Sequence, residues 1–259
     1  FHQGWLGMNT SPGLRLFCLP YSGASATFYH RWRRKLPQWL QVLPLELPGR
    51  GMRMNQPLQR DIKSLARQLA DEIAVDLDQP YAVFGHSLGG LLAFELLHVL
   101  YERGLPLPLA LFVSATAGPV RRDVSQYAVA KTDEQLLERL RELKGTAEET
   151  LANSDLMQLM LPILRADFLL CGSFSYGQRA PLPLPIHVFG GKQDSVRADE
   201  LLDWQEETST GFSLDMFDGH HFYLIDQEAA LLRCLRRYAD EHLARWRNGA
   251  RRQLAWATG

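Results

Sequence analysis

The apolar run Tyr81-Ala82-Val83-Phe84 leads straight into Gly85-His86-Ser87-Leu88-Gly89, a G-x-S-x-G pattern, and an apolar stretch from Leu88 to about Arg103 follows it. Strand, serine between two glycines, then helix describes a sharp strand-to-helix turn. A Cβ two residues before or after the serine would collide with the adjoining strand or helix, so both positions need glycine. The pattern commits the chain to a strand–turn–helix unit. It also sets Ser87 at the positive end of a helix dipole, where a nucleophile and a developing anion are both favoured.

The rest of the chain supplies matching units. Leu14 to Leu19 and Val42 to Leu47 read as short buried strands, each ending at a proline and each followed by helix. Leu58 to Leu77 places Ile62, Leu65, Leu69 and Ile73 at helical spacing, and Leu109 to Ser114 reads as a further strand. Alternating strands and helices predict an α/β fold with a mostly parallel central sheet, whose ligand site lies at the carboxyl ends of the strands. From about Pro119 to Ser175 the alternation stops. Helices are predicted over Thr132 to Lys144 and Leu151 to Leu170, with Thr132 and Gln135 as a capping box and Gly145 as the stop. This stretch, 119–175, is read as a helical lid inserted into a core made of 8–118 and 176–247; the alternative is an outer layer of the sheet. An extended connector, Arg179 to Pro185, returns the chain to a strand at Ile186 to Phe189. The last helix, Gln227 to Arg247, shows an apolar face of Leu231, Leu235, Tyr238 and Leu243, and 248–259 is expected to be a loose tail. Phe1 to Gly7 reads as a remnant preceding a natural start at Met8.

With 259 residues and a formal net charge of −1, the chain has neither the basic balance of a nucleic-acid binder nor a bias towards anionic membranes. One basic run, Arg31-Trp32-Arg33-Arg34-Lys35, reads either as a solvated helix face or as a dock for something acidic. Cys18, Cys171 and Cys234 are odd in number and embedded among apolar residues, which predicts reduced thiols, no disulfide and a cytoplasmic setting. No apolar stretch reaches transmembrane length, and no secretion signal is recognisable at the start.

A serine hydroxyl needs a base within hydrogen-bond reach and a carboxylate to orient that base. Strand exits offer both. Gly190-Gly191-Lys192-Gln193-Asp194 follows the strand at Ile186, and Asp218-Gly219-His220-His221 follows a strand predicted over Phe212 to Phe217. Asp194 is the favoured acid, because the glycine pair lets the chain turn back; Asp199 and Asp203 fall in the next helix as surface charges. His221 is preferred as base over His220, and His86, His98 and His187 are read as structural or surface residues. No histidine or cysteine cluster has metal-ligand spacing, so no metal is expected. The oxyanion hole needs two backbone N–H groups. Leu88 supplies one, and the loop Pro20-Tyr21-Ser22-Gly23-Ala24 supplies the other through Ser22, with Gly23 as the alternative.

Taken together, several pieces resemble the type II thioesterases that serve nonribosomal peptide and polyketide synthetases, relatives of the medium-chain thioesterase of fatty acid synthesis. The pieces are LFCLPYSGASATFY (Leu16–Tyr29), LELPGRGMR (Leu45–Arg53), FGHSLGG (Phe84–Gly90), LPILRADFLL (Leu161–Leu170), PIHVFGGKQDSV (Pro185–Val196) and the stretch from Asp203 to Leu224. The resemblance implies an α/β-hydrolase fold with a helical lid and a triad of Ser87, Asp194 and His221. It also implies editing hydrolysis of misprimed or stalled acyl groups on the phosphopantetheine arm of an acyl or peptidyl carrier protein. No cofactor beyond that arm is implied, nor any nucleic acid or membrane partner, and a monomer is expected; a siderophore pathway is the leading guess. His220 stands where the family often has glycine, and Ser22 and Ala24 replace small residues of the early loop. Two rival readings remain at this point: a carboxylesterase or lipase sharing the same triad, and a catalytically silent binding module on the same fold.

Overall fold

A computed structural model describes residues 13–257. Phe1 to Gly7, Met8 and the last two residues, about which the sequence raised expectations, lie outside the described residues. Six strands form one sheet in the order β2-β1-β3-β4-β5-β6, and every neighbouring pair is parallel. They are β1 (Leu14–Leu19), β2 (Leu40–Pro44), β3 (Tyr81–His86), β4 (Leu111–Ser114), β5 (Ile186–Gly191) and β6 (Phe212–Phe217). β1, β3 and β4 read as near-continuous apolar runs because helices cover both faces of the sheet.

β2 begins two residues earlier than expected and stops at Pro44, which lacks the N–H that would continue the ladder. The expected helices are also trimmed. α1 spans Ile62–Ile73, capped by the Asp61 carboxylate on the Ser64 N–H, and a 3-10 turn carries the chain on to Asp76. α2 (Leu88–Glu102) is buried along most of its length between α1 and the sheet. After β1 there is a 3-10 helix over Ala26–Arg34.

Between β4 and β5 come two 3-10 turns and the helices α3 (Asp133–Leu143), α4 (Glu148–Leu151) and α5 (Ser154–Gly172). Thr132 and Gln135 form the capping box in both directions. The stop differs from expectation: Lys144 itself adopts the left-handed conformation, with φ 54°, and Gly145 lies against the Phe222 ring. Leu136, Leu140, Leu151, Met157, Leu161, Leu164 and Phe168 form a small core of their own, whereas Leu170 and Cys171, further along α5, belong to the main core.

α6 (Ala198–Leu202) follows β5, and α7 (Tyr223–Asp226) follows β6. α8 then runs over Glu228–Ala257 without a break, so 248–257, expected as a loose tail, continues the helix instead. Helical propensity in Ala250, Arg251, Arg252, Leu254 and Ala255 carries it on past Asn248 and Gly249, the two poor helix formers of the stretch. α8 also decides the fate of the basic run. Glu228 at its start takes ion pairs from Arg31 and Lys35, Trp32 is fully buried and donates to the same carboxylate, and Arg33 donates to the Val42 carbonyl. The run is thus largely spent on intramolecular contacts.

Two histidines of the core make stability depend on acid. His98 on α2 packs edge-on against Phe94, and His187 on β5 lies between Phe112 and Tyr238; burial pushes both down to about 3. An unfolded chain protonates them near pH 6.5, so below that pH the unfolded state binds more protons and stability falls until the folded-state value is reached. The urea midpoint should drop between about pH 6.5 and about pH 4.5, and the drop should shrink in a His98→Gln/His187→Gln variant; an equal drop in both proteins would contradict this.

Candidate active site

The turn after β3 is built by steric exclusion. A Cβ on Gly85 would lie 2.1 Å from the Gly89 carbonyl oxygen, and one on Gly89 would lie 2.3 Å from that of Leu19. Only glycine lets helix, turn and the end of β1 come this close. Ser87 between them has φ 54° and ψ −117°, a conformation costing about 1–3 kcal/mol. It is held by its N–H donating to the Ser114 carbonyl at 2.7 Å. Ala115, one step beyond on β4, has φ 52° and lines the same cavity as Ser87.

The loops after β5 and β6 are laced together. Gln193 N–H donates to the Gly219 carbonyl at 3.0 Å, Lys192 N–H to that of Phe217 at 2.8 Å, and Lys192 Nζ to Asp218 at 2.9 Å. This brings Asp194 Oδ2 to 2.9 Å from His221 Nδ1, with the carboxylate 1 % exposed and the imidazole 9 % exposed. His220 points elsewhere, bonding the Gln193 carbonyl through Nδ1 at 2.9 Å from an exposed position. Asp199 and Asp203 lie away from the site, paired with Arg197 and Arg121.

Ser87, His221 and Ser22 line one cavity of about 380 Å³, roofed by Leu140, Leu164 and Phe168. A second cavity of about 380 Å³ shares Tyr21, Ser22, Leu140, Leu164 and Phe222 with it. Leu88 N–H is the first of α2, where an intrahelical acceptor is lacking. In the early loop, Ala24 N–H closes a turn onto the Tyr21 carbonyl at 3.0 Å, with Gly23 at φ 81°. Gly23 N–H donates to Asp167 at 2.8 Å and is committed there, whereas Ser22 N–H has no acceptor among the described residues. His86 is fully buried behind His221, ring centroids 5.2 Å apart, with Nδ1 on Ser114 Oγ at 2.8 Å. Burial, then the neighbouring His221, holds its pKa well below the ordinary histidine value, so it stays neutral packing.

The thioesterase domain family matches this sequence over residues 14–238. The chain belongs to the thioesterase family. Among its relatives is the gramicidin S biosynthesis protein GrsT of Aneurinibacillus migulanus, 35% identical over 226 residues, covering 87% of this chain and 88% of GrsT. Among solved structures it is similar to BorB, the type II thioesterase from the borrelidin biosynthetic cluster, with 37% identity and a TM-score of 0.81 over 90% of this chain and 94% of BorB. It is also similar to YbtT, a type II thioesterase from the yersiniabactin pathway, with 27% identity and a TM-score of 0.78 over 92% of this chain and 97% of YbtT.

Two signature segments of this thioesterase prove to be halves of one buried contact. Arg50, 3 % exposed, grips Asp167, 0 % exposed, through two bonds of 2.6 Å. Arg50 Nη1 also donates to the Ala24 carbonyl at 3.2 Å, and Asp167 accepts the Gly23 N–H. Glu46, from the same segment as Arg50, accepts the Ser25 hydroxyl and, at 3.1 Å, the Ala26 N–H. The early loop is therefore held by α5 and by the loop after β2 together. The sequence signal was there to be read: Asp167 is a lone carboxylate among Ala166, Phe168, Leu169 and Leu170, where only a charged partner makes burial tolerable. Asp167→Asn should leave Arg50 buried without a counter-charge and cost about 3–5 kcal/mol, measured as a lowered urea midpoint; a change below about 1 kcal/mol would show the pair to be dispensable.

Proposed function

We propose that this thioesterase edits carrier proteins of nonribosomal peptide or polyketide synthesis, hydrolysing aberrant or stalled acyl and aminoacyl groups from their phosphopantetheine arms. The observation that carries the reading is the Asp194–His221 bond opening onto the cavity that Ser87 lines. Likeness to two type II thioesterases of such pathways supports the substrate class.

Ser87 is the nucleophile, His221 the base, and Asp194 the carboxylate that fixes the imidazole's tautomer and stabilises its charged form. Asp194 accepts the Nδ1 proton, so Nε2 carries the lone pair that takes the proton from Ser87 Oγ as it attacks the thioester carbonyl. The tetrahedral oxyanion is held by the N–H groups of Leu88 and Ser22, in the field of the α2 N-terminus. Collapse expels the thiol of the arm, which takes the proton back from His221. The acyl group stays on Ser87 until water, deprotonated by His221, displaces it as a free acid and His221 returns the proton to Ser87 Oγ. Every proton moves through groups of this chain, with no metal and no cofactor besides the carrier's arm. Two cavities sharing Ser22 and Phe222 give the arm and the acyl group separate room. The apolar lining from α3 and α5 suits broad, modest selection, since one methylene changes discrimination by about 1–3 kcal/mol. The enzyme works as a monomer in the cytoplasm, where Cys18, Cys171 and Cys234 remain free thiols. No helix among the described residues is long and apolar enough to cross a membrane.

A carrier protein loaded with several acyl groups provides the test. Ser87→Ala should slow release by at least about 10³-fold with unchanged melting temperature, and a fluorophosphonate probe should label Ser87 in the folded wild type. Much faster hydrolysis of simple esters than of carrier thioesters would favour a general esterase. Absence of labelling would favour a silent binding module.

A further inference from the structure

Three arginines line the catalytic cavity, and two of them are neutralised. Arg121 is forked onto Asp203, and Arg139 pairs with Glu142 at 2.8 Å. Arg122 has no carboxylate partner among the described residues. Its Nη1 donates to Thr116 Oγ1 at 2.6 Å, while its Nε is shut away from water without an acceptor. The acids that line the cavity are engaged elsewhere: Asp123 accepts the Ser125 N–H at 2.9 Å, and Glu200 accepts the Arg197 N–H at 2.9 Å. Cys171 beside it offers no counter-charge either, because burial pushes its thiol up to about 11.

Arg122 is also anchored close to the chemistry. Thr116 follows β4, and its methyl group would lie 2.8 Å from a Cβ on Gly90, in the first turn of α2 behind Ser87. The Thr116 carbonyl is itself fixed by Trp204 Nε1 at 2.8 Å. The guanidinium is held by Nη1 on Thr116 and by the neutral Cys171 thiol, so its Nε–Nη2 edge, the edge that binds a carboxylate through two parallel bonds, has no anion to meet. A buried donor without an acceptor is costly. An anion arriving with the substrate would relieve that cost on a small adjustment of the side chain.

We propose that Arg122 reads a carboxylate at the end of the acyl group, so that this enzyme prefers misloaded dicarboxylic half-thioesters, such as succinyl, over neutral acyl groups of similar length. The inference rests on the thioesterase reading above and names the substrate class for it. The phosphate of the arm is the other anion a carrier substrate brings. It sits at the end of the arm remote from the sulfur, whereas Arg122 is tied to the strand end beside the nucleophile.

The test compares succinyl and butyryl groups on the same carrier protein. The wild type should show a succinyl-to-butyryl ratio of kcat/KM of at least about tenfold; Arg122→Gln should bring it near one, and Arg122→Lys, which keeps the charge but loses the fork, should fall between. A ratio unchanged by Arg122→Gln overturns the proposal. Succinyl- and butyryl-pantetheine, which lack the phosphate, should preserve the wild-type preference. If Arg122→Gln instead slows both carrier substrates equally and neither pantetheine substrate, Arg122 reads phosphate and the proposal fails. Should Arg122→Gln not fold, the wild-type ratio decides, a value at or below one being the overturning result. Hydrolysis of butyryl carrier without a succinyl preference sinks this inference alone; hydrolysis of neither sinks the thioesterase reading.

Discussion

The buried pair of Arg50 and Asp167 ties the chemistry of this protein to its architecture. Taking both charges out of water is expensive, and such a pair adds little net stability over apolar residues of the same volume. What it does supply is position. Its fork joins the loop after β2 to the middle of α5, and its remaining bonds hold Gly23 N–H and the Ala24 carbonyl. The loop facing Ser87 therefore takes its shape from a helix that comes more than a hundred residues later. It follows that α5 cannot swing away from the sheet without dismantling that loop. α3 and α4 pack on α5 through a separate small core, and Arg165 of α5 pairs with Asp133 at the start of α3, so the roof over the cavity is built on α5.

The crevice itself comes from two neighbouring strands ending in the same unusual way. β3 is followed at once by Ser87 and β4 by Ala115, both at positive φ, and each is secured by its N–H to the next strand over: Ser87 to the Ser114 carbonyl, Ala115 to that of Phe189 at 2.9 Å. Turning both chains at the same level opens the carboxyl edge of a parallel sheet where ligands bind in such folds. The strain is local, and the sheet's buried ladders hold it in place.

Features written in short-range patterns were legible before any coordinates. β1 and β6 have the boundaries their apolar runs predicted, and the Thr132–Gln135 box and the glycines around Ser87 act as their spacing implied. Asp194 and His221 meet because each follows a strand whose end could be located. What stayed hidden depends on partners remote in sequence. The basic run around Arg33 looked exposed, since nothing nearby indicated that Glu228 would neutralise it. Arg50 and Asp167 each stood in a recognised segment, but their pairing is a tertiary fact. Gly145 looked like a helix stop, yet the stop is Lys144, and the glycine instead makes room for Phe222. The role of Ala115 left no compositional trace, because alanine is not a residue that usually marks a left-handed turn.

Cys171 also bears on the fidelity of the reaction. A thiolate in a cavity that receives thioesters would compete with the serine, exchanging the acyl group onto sulfur and stranding it there, and in an oxidising moment it would couple to the departing thiol of the arm. Arg122 pulls the Cys171 thiol towards ionisation, but burial prevails and keeps the proton on sulfur, with a pKa of about 11. The desolvated wall of α5 thereby keeps this thiol of the cavity in its protonated, unreactive form.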